Sequence, residues 1–204
     1  MRLSLTPLFA WSALILGSIL VTVSPAAAQG AGVKAGVTFS TIAVSPSDAF
    51  GVDVSGRAGL LAGGYMTFLE PARLSIQVDA QAALRRTDFG DDIEDTLTYL
   101  EIPAVARYAV MTRNTYVVRA LAGGTFNYLI AARESVLGED SYDVKDAFKS
   151  FDVGVVVGAQ VEWNERWVFD GRYCIGLSDA FVEDVEGVRA RHRSFQITAG
   201  YRFR

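Results

Sequence analysis

The chemistry open to this 204-residue chain is limited first by its few reactive side chains. His192, the only histidine, precedes Ser194 by two residues, a pair that could act as base and nucleophile in a hydrolase. Such a site needs an acidic group to orient the histidine, and no Asp or Glu follows Ser194. Cys174 is the only cysteine, so it can form no intramolecular disulfide, and a buried small side chain is its expected role. With no zinc-ligand spacing and no phosphate loop, the sequence predicts no catalytic residue, cofactor or metal.

Charged residues instead follow a different pattern, in the middle of stretches where polar and apolar residues alternate. Residues 73–84, RLSIQVDAQAAL, have apolar side chains at 74, 76, 78, 80, 82 and 84 and polar ones at 75, 77, 79 and 81. A strand points successive side chains to opposite faces, so such a stretch has one apolar and one polar face. The charges on these polar faces are Lys34, Asp79, Glu101, Arg107, Arg119, Glu162, Asp170, Arg172 and Arg202.

Strands are therefore the elements that must position these charges. Eight stretches alternate or are apolar: 32–40, 58–68, 73–84, 97–110, 115–130, 149–163, 167–178 and 192–203. Tight turns at 69–72, 111–114 and 163–166 alternate strictly with long polar loops at 41–57, 85–96, 131–148 and 179–191. In an up-and-down meander every second connection lies at the same end. The four long loops are therefore expected at one rim and the three tight turns at the other.

The length and charge of the strands indicate which face meets lipid. Stretches of roughly 10 residues are long enough to cross a bilayer when tilted. A lipid-facing Arg or Lys at mid-bilayer depth costs about 2 to 4 kcal/mol, and the apolar faces carry no charge at mid-strand. We therefore expect the apolar face outside and the polar face inside. Because an open sheet edge cannot stay unpaired in hydrocarbon, the sequence predicts an all-β, eight-stranded antiparallel transmembrane barrel. The faces of the second strand, 58–68, cannot be assigned from its sequence.

Aromatic residues near one rim support a membrane-spanning barrel. Trp and Tyr favour the level of the lipid headgroups, where the ring is in lipid and the polar edge in water. The interfacial aromatic residues expected beside the tight turns are Trp163, Trp167, Tyr201 and Phe203.

The first residues predict export from the cytoplasm. After Met1-Arg2 an apolar run precedes SPAAAQG, in which Ala26 and Ala28 form a small-x-small cleavage site. An uncleaved membrane helix is the alternative, but Pro25 and the alanines favour cleavage. We predict a cleaved signal peptide at 1–28 and one domain at 29–204. That domain carries 18 basic and 23 acidic residues, which indicates no nucleic-acid partner.

Three segments of the chain resemble a known family. GVKAGVTFSTI near residue 32, YLEIPAVARY near residue 99 and the closing FQITAGYRFR are similar in order and spacing to the porin-family outer membrane protein beta-barrel domain. The resemblance covers nearly all of residues 29–204. It implies a small eight-stranded barrel in the outer membrane of a Gram-negative bacterium, with periplasmic termini and no shared catalytic residue or cofactor. Barrel insertion machinery and outer-membrane lipid are the partners expected for such a chain, as a monomer.

The predicted rims differ in charge. The four long loops contain sixteen acidic and seven basic residues, near −9 in net charge. Their densest run, DFGDDIED at 88–95, predicts a solvated loop. A second interpretation is a divalent-cation site bridging to lipopolysaccharide, since hard cations prefer carboxylate oxygens, although the spacing is not that of an EF-hand.

Three functions fit this architecture. Long loops on a rigid barrel are where binding usually occurs, so we favour a non-enzymatic structural or surface-interaction barrel whose loop partner is unknown. A narrow passive pore for small solutes is the alternative. A lipid A-modifying enzyme is more remote: His192-x-Ser194 is similar to lipid A deacylases, but alternation points both side chains inward, away from a lipid substrate.

The expected interior favours a plugged bore over a pore. Eight strands leave a lumen only about wide enough for side chains to fill it. Buried charges are retained when they are paired, so we expect Arg107, Arg119 and Arg172 to form bidentate pairs with inward carboxylates. Inward glycines should make space for the guanidinium groups: Gly36, Gly154, Gly158, Gly176 and Gly200.

Overall fold

The protein is described by a computed structural model at residues 29–45, 54–70, 73–89, 93–136, 142–178 and 189–203. These ranges contain the strands β1 Gly30–Ser45, β2 Val54–Phe68, β3 Leu74–Phe89, β4 Ile93–Thr112, β5 Tyr116–Val136, β6 Tyr142–Asp143, β7 Phe151–Trp163, β8 Trp167–Gly176 and β9 Arg189–Phe203. A single 3-10 turn, Lys145–Ala147, lies between β6 and β7. Within the described ranges, no helix is long and apolar enough to cross a membrane.

Eight of these strands close into an antiparallel barrel. Each pairs with its neighbours in the chain, β5 pairs with β7, and the first and last strands, β1 and β9, pair to close the wall. The two-residue β6 pairs with β5 alone, beyond the barrel proper. The predicted eight-stranded up-and-down barrel is confirmed, with β6 as one extra strand.

The stagger of the strands sets their tilt. The paired residues followed once around the wall are Ser40, Ser194, Cys174, Val156, Gly123, Val105, Gln77, Thr67 and Gly30. The path returns to β1 ten residues from its start. With eight strands this stagger corresponds to a tilt of roughly 45°, so each residue rises about 2.3 Å along the barrel axis.

The faces of the strands are as the alternation predicts. Large apolar side chains lie on the outside, including Phe151, which is 71% exposed, and Phe126, which is 66% exposed. Charged side chains such as Arg107 and Asp79 are fully buried inside. In β2, the strand whose faces the sequence did not assign, the inward positions are Gly59, Leu61, Gly63, Tyr65 and Thr67.

Several strands are longer than the alternation suggested. The predicted loops 41–57, 85–96 and 131–148 are wrong in extent, because β1, β3, β4 and β5 continue into them. Arg85 and Thr87 still face inward there, so the barrel wall projects beyond the apolar band as a paired rim. Backbone pairing satisfies the hydrogen bonds of these residues whatever their polarity, which explains why polar composition did not end the strands. The predicted signal peptide, 1–28, lies outside the described residues.

The inward glycines have a different role from the one predicted. A Cβ on Gly36 would lie 2.0 Å from the carbonyl oxygen of Ile197, and one on Gly158 would lie 2.3 Å from that of Gly171. Gly200, Gly154 and Gly176 likewise lie nearest to the backbone of an adjacent strand. These glycines therefore permit close approach of neighbouring strands, and the expectation that they make room for guanidinium groups is wrong.

Candidate functional site

The barrel interior contains three layers of ion pairs, and the central layer links opposite walls. Lys34 Nζ lies 2.5 Å from Asp79 Oδ2 and 3.6 Å from Asp170 Oδ2. Arg172 Nη2 donates to Asp170 at 2.7 Å, and its Nη1 donates to Asp79. Arg172 on β8 and Asp79 on β3 are four strands apart in an eight-stranded wall, so their contact spans the full diameter of the bore.

A second layer of ion pairs lies towards the tight turns. Glu162 Oε1 accepts from Arg107 at 2.8 Å and from Arg202 at 2.9 Å, and lies 3.2 Å from Arg119 Nε. Glu70, in the turn after β2, accepts two hydrogen bonds of 3.2 Å from Arg202 and also contacts Arg107. Three arginines thus share two carboxylates at this end of the lumen.

A third layer lies towards the long loops. Arg85 donates to Glu101 from Nε at 3.0 Å and from Nη2 at 2.7 Å. The other oxygen of Glu101 accepts from the side-chain amides of Gln81 and Gln196, at 2.8 and 2.9 Å. Asp152 lies 3.8 Å from Arg85. All the hydrogen-bonding capacity of Glu101 is therefore directed at neighbouring side chains, as a buried carboxylate requires.

Apolar side chains cluster in the bore at the long-loop end. A cluster of buried residues fills this part of the bore: Ile42, Leu97, Tyr99, Leu129, Ala132, Phe148 and Ala190. Below it the Tyr99 hydroxyl lies 3.2 Å from His192 Nε2, and these two residues also belong to strands four apart. Phe148 joins the cluster from the segment after the 3-10 turn, so a residue between strands contributes to it.

All nine charged residues predicted to face the lumen point into it, eight of them buried and Arg202 half-buried: Lys34, Asp79, Glu101, Arg107, Arg119, Glu162, Asp170, Arg172 and Arg202. Sequence reasoning missed Glu70, Arg85 and Asp152. Glu70 and Arg85 were in segments predicted to be connections. Asp152 was near the start of the predicted strand 149–163, where the alternation places it on the same face as Glu162 and could have identified it. With these three, the ion pairs described in the lumen involve six basic and six acidic side chains.

The pairing geometry differs from the prediction in one respect. Arg107 and Arg172 do not chelate a single carboxylate in a bidentate manner, because each bridges two carboxylates. Arg119 is not bidentate either, since it approaches Glu162 Oε1 through Nε at 3.2 Å. The two-oxygen arrangement belongs to Arg202 and Glu70. A guanidinium group has five donors in a fixed fork, so in a crowded bore it can satisfy carboxylates on separate strands at the same time.

His192 and Ser194, the pair considered for catalysis, have no hydrogen bond to each other in the described part of the chain. His192 contacts Tyr99, and within the described residues Ser194 Oγ has no hydrogen-bond partner. Both side chains are buried in the lumen. The hydrogen-bond partner that the structure gives His192 is the Tyr99 hydroxyl, whereas a catalytic histidine needs an acid to orient it.

Metal binding finds no support among the described side chains, where no three His, Cys, Asp or Glu residues are grouped to hold an ion. Residues 90–92 of the acidic run DFGDDIED, and the side chains around them, lie outside the described part of the chain. The prediction that this run is a solvated loop, and the alternative that it binds a divalent cation, therefore both stay predictions.

The interfacial aromatic residues form a cluster on the outer wall beside the tight turn at 164–166. Trp163 and Trp167 are paired across the turn, and the ring of Trp167 packs edge to face on that of Tyr201, 5.5 Å between centroids. The ring of Tyr201 in turn packs against that of Phe203, with 6.3 Å between the centroids. All four side chains are exposed on the apolar face, the arrangement expected at a headgroup boundary.

A closed wall with an apolar exterior and an ion-paired interior defines the class of integral membrane β-barrels. This chain belongs to the outer membrane protein beta-barrel domain family, which matches residues 27–182. The resemblance stated from the sequence motifs is confirmed.

Solved structures of small bacterial barrels are also similar to this chain. The attachment invasion locus protein Ail of Yersinia pestis is 16% identical, with 85% of this chain and 98% of that chain covered and a TM-score of 0.46. Neisserial surface protein A is 18% identical, with 84% and 95% covered and a TM-score of 0.48. OprG from Pseudomonas aeruginosa is 13% identical, with 87% and 97% covered and a TM-score of 0.45. No curated protein sequence matches this chain significantly.

Proposed function

We propose that this protein is a non-enzymatic outer-membrane barrel that does not conduct solutes and acts through its long-loop end at the cell surface. The observation that carries the proposal is the contact between Arg172 and Asp79 across the full diameter of the bore. A path for water or ions would have to break it. The ion pairs on either side and the apolar cluster at the mouth obstruct the same path.

We infer the orientation of the barrel from the difference between its two rims. Both ends of the barrel chain, Gly30 and Phe203, lie at the tight-turn end, which we assign to the periplasm. The long loops, near −9 in net charge, then project outward from the cell. We propose that their partner is extracellular, that the barrel is a monomer, and that insertion machinery and lipopolysaccharide are its partners in the membrane. An epitope inserted at Gly138 and detected on intact cells tests this orientation.

Planar-bilayer recording tests the plugged lumen. The purified wild-type barrel is expected to show no sustained, ion-selective conductance. The paired substitution Asp79→Ser with Arg172→Ser removes the diametric contact without changing net charge, and should raise conductance. The matched control is Arg133→Ser with Asp143→Ser, which changes an exposed cross-strand pair outside the bore and should remain closed.

Sustained single-channel conductance from the wild-type protein would overturn the plugged lumen and favour the narrow pore. The enzyme alternative is tested separately by Ser194→Ala. Unchanged acylation of lipid A in cells carrying this variant supports the non-enzymatic function, and a loss of deacylation contradicts it.

A further inference from the structure

A cavity of about 490 Å³ opens at the tight-turn rim, where β4 ends and β5 begins. Two arginines line it, Arg73 and Arg119, together with apolar side chains that include Val110, Met111 and Val117. Its volume lies within the range of small-molecule sites in proteins. The combination of fixed cations with apolar walls suits a ligand that has an anionic group and an apolar part.

Backbone pairing places the two arginines on either side of one residue, Ala109. The backbone N–H of Ala109 donates to the carbonyl of Arg73 at 2.8 Å, and Arg73 Nε donates back to the carbonyl of Ala109 at 3.4 Å. On its other side Ala109 is paired with Arg119 of β5. At the usual spacing between strands, the two arginine Cα atoms are then roughly 10 Å apart. Their long side chains can therefore contact one ligand from two directions.

A β-bulge in β4 extends the cavity towards the lipid-facing wall. The register shifts between Ala109 and Met111, so Val110 is an extra residue, and bulges at barrel rims redirect side chains in this way. Val110 and Met111 are 53% and 44% exposed. The guanidinium carbon of Arg73 lies 5.2 Å from the ring centroid of Tyr108, which is exposed on the outer face. The cavity thus spans the rim from the lumen to the lipid boundary.

Arg119, on the lumen side of the cavity, has buried donors without acceptors. Its side chain is 8% exposed, and neither Nε nor Nη1 has a hydrogen-bond partner among the described residues. Glu162 Oε1 lies 3.2 Å from Nε, but this oxygen already accepts hydrogen bonds from Arg107 and Arg202. A carboxylate oxygen has about two acceptor sites, so both are in use. Buried donors are ordinarily paired, which indicates that Arg119 lacks a ligand oxygen.

The charges around the cavity also favour an anion. Three arginines share Glu70 and Glu162 at this end of the lumen, which leaves one positive charge in excess. Arg73 adds a second, since it forms no ion pair with an acidic side chain in the described part of the chain. Glu165 in the neighbouring turn does not line the cavity and has an interaction of its own.

We infer that this rim cavity binds a phosphate ester, with the phosphate between Arg73 and Arg119 and the apolar part of the ligand against Val110 and Met111. A phosphate has oxygens on several sides, so it can accept from two arginines that approach from different directions, and the guanidinium fork matches its geometry. It would supply acceptors for Arg119 and balance the excess positive charge.

Two sources share this chemistry, a phospholipid of the adjacent leaflet and a soluble phosphate ester. The exposed apolar residues at the lipid boundary favour the phospholipid. That this leaflet is the periplasmic one rests on the proposed orientation, whereas the phosphate contact itself does not.

Native mass spectrometry of the mature barrel, released from a phosphate-free maltoside detergent, tests the site. The probes are phosphatidylglycerol, diacylglycerol with the same acyl chains, and glycerol phosphate as a soluble competitor. Phosphatidylglycerol should bind about tenfold more tightly than diacylglycerol, because only it offers charge-assisted hydrogen bonds. Arg73→Gln and Arg119→Gln should each weaken phosphatidylglycerol binding by about tenfold.

The matched control is Arg166→Gln, which removes an exposed arginine from another tight turn of the same rim, away from the cavity. It should bind phosphatidylglycerol like the wild type. Retention of the compact, heat-modifiable form on a denaturing gel verifies that each variant is folded. If Arg119→Gln does not fold, Arg73→Gln still tests the site, because Arg73 is exposed and outside the ion pairs of the lumen.

Equal binding of diacylglycerol and phosphatidylglycerol would overturn the inference, and so would wild-type affinity in Arg73→Gln or an equal loss in Arg166→Gln. Displacement of the lipid by an equimolar amount of glycerol phosphate would assign the site to a soluble ester, and its failure to compete would assign the site to the phospholipid. Loops detected in the periplasm would change the leaflet but not the chemistry, so failure of the proposed orientation and failure of this site are distinguishable.

Discussion

At the scale of single residues, the lumen is defined by carboxylates that each contact more than one cation. Asp79 accepts from Lys34, Gln77 and Arg172, and Glu162 contacts Arg107, Arg119 and Arg202. An uncompensated charge in a confined interior is strongly unfavourable, so these groups depend on one another. Removing one of these carboxylates should therefore destabilise the other charges of its layer.

Asp79→Asn is expected to destabilise the barrel by about 3 to 5 kcal/mol, because Lys34 and Arg172 would then share only Asp170. Urea unfolding in phospholipid vesicles, followed by tryptophan fluorescence, measures the change. The exposed Asp146→Asn serves as control and should shift the free energy of unfolding by no more than about 0.5 kcal/mol. Equal effects of the two substitutions would mean that the Asp79 pairs contribute nothing specific.

Asp95 lies beyond the membrane-spanning part of β4. Outward Arg86 and Arg133 both pair with Thr96, which places that level outside the hydrocarbon, and Asp95 is one residue further out. Its side chain is buried opposite Glu134, and its Oδ1 has no hydrogen-bond partner among the described residues. Burial and the neighbouring carboxylate raise the pKa of Asp95 from 3.8 to about 6.

A carboxyl group with a raised pKa binds its proton more tightly in the folded state, so stability falls as the pH rises from about 4 to above 6. Asp95→Asn removes the charge, and should raise the free energy of unfolding by about 1 to 3 kcal/mol at pH 7.5. The gain should vanish near pH 4, where the wild-type carboxyl is already protonated. Urea titrations at both pH values measure it, and a gain of the same size at both would show that charge is not the cause.

At the scale of elements, close contact between strands depends on a few glycines. Gly36 on β1 lies against the backbone of β9, whereas Gly171 on β8 faces outward with nothing within 4 Å of its Cβ direction. The two glycines are both in mid-strand and differ in what an added methyl group would meet.

Gly36→Ala is expected to destabilise the barrel by about 2 kcal/mol or more, since the backbone of Ile197 cannot move without disturbing the pairing that closes the wall. Gly171→Ala should be neutral or stabilising by about 0.5 to 1 kcal/mol, because alanine loses less conformational freedom on folding. Parallel urea titrations in vesicles compare the variants. Similar losses for both would indicate that strand propensity, and not close approach, governs these positions.

At the scale of the whole molecule, the two rims have different chemistry. The tight-turn rim carries the aromatic cluster and both ends of the barrel chain, while the long-loop rim carries outward arginines, an apolar seal in its mouth and predominantly acidic loops. The asymmetry gives the barrel a defined direction in the membrane. It also keeps the aromatic cluster and the acidic loops at opposite ends of the barrel.

The exported protein is expected to begin at Gln29. Intact-mass measurement of the barrel purified from outer membranes should show the loss of residues 1–28, because Ala26 and Ala28 present small side chains at the cleavage site. The substitution Ala28→Tyr, which places a bulky residue there, should leave the precursor uncleaved. A wild-type mass that retains Met1 to Ala28 would contradict the predicted signal peptide.

The sequence by itself determined the barrel, its strand count and the faces of most strands. In RLSIQVDAQAAL and FQITAGYRFR every second residue is apolar, and a strand has a period of two, so orientation follows from local order alone. In AGLLAGGYMTF small and apolar residues occupy both sets of positions, and only packing showed that Leu61 and Tyr65 face inward.

Only the tertiary structure decided which charges meet. Asp79 and Arg172 are 93 residues apart in the chain, and their contact depends on a stagger of ten residues accumulated over eight pairings. The inward positions of Glu70 and Arg85 depended on where the strands stop, which backbone pairing and not polarity determines. A groove on the outer wall is lined by Ala35, Leu60, Ala82 and Thr98 from four different strands, so its position is set by pairing along the wall, a property that no single stretch of sequence contains.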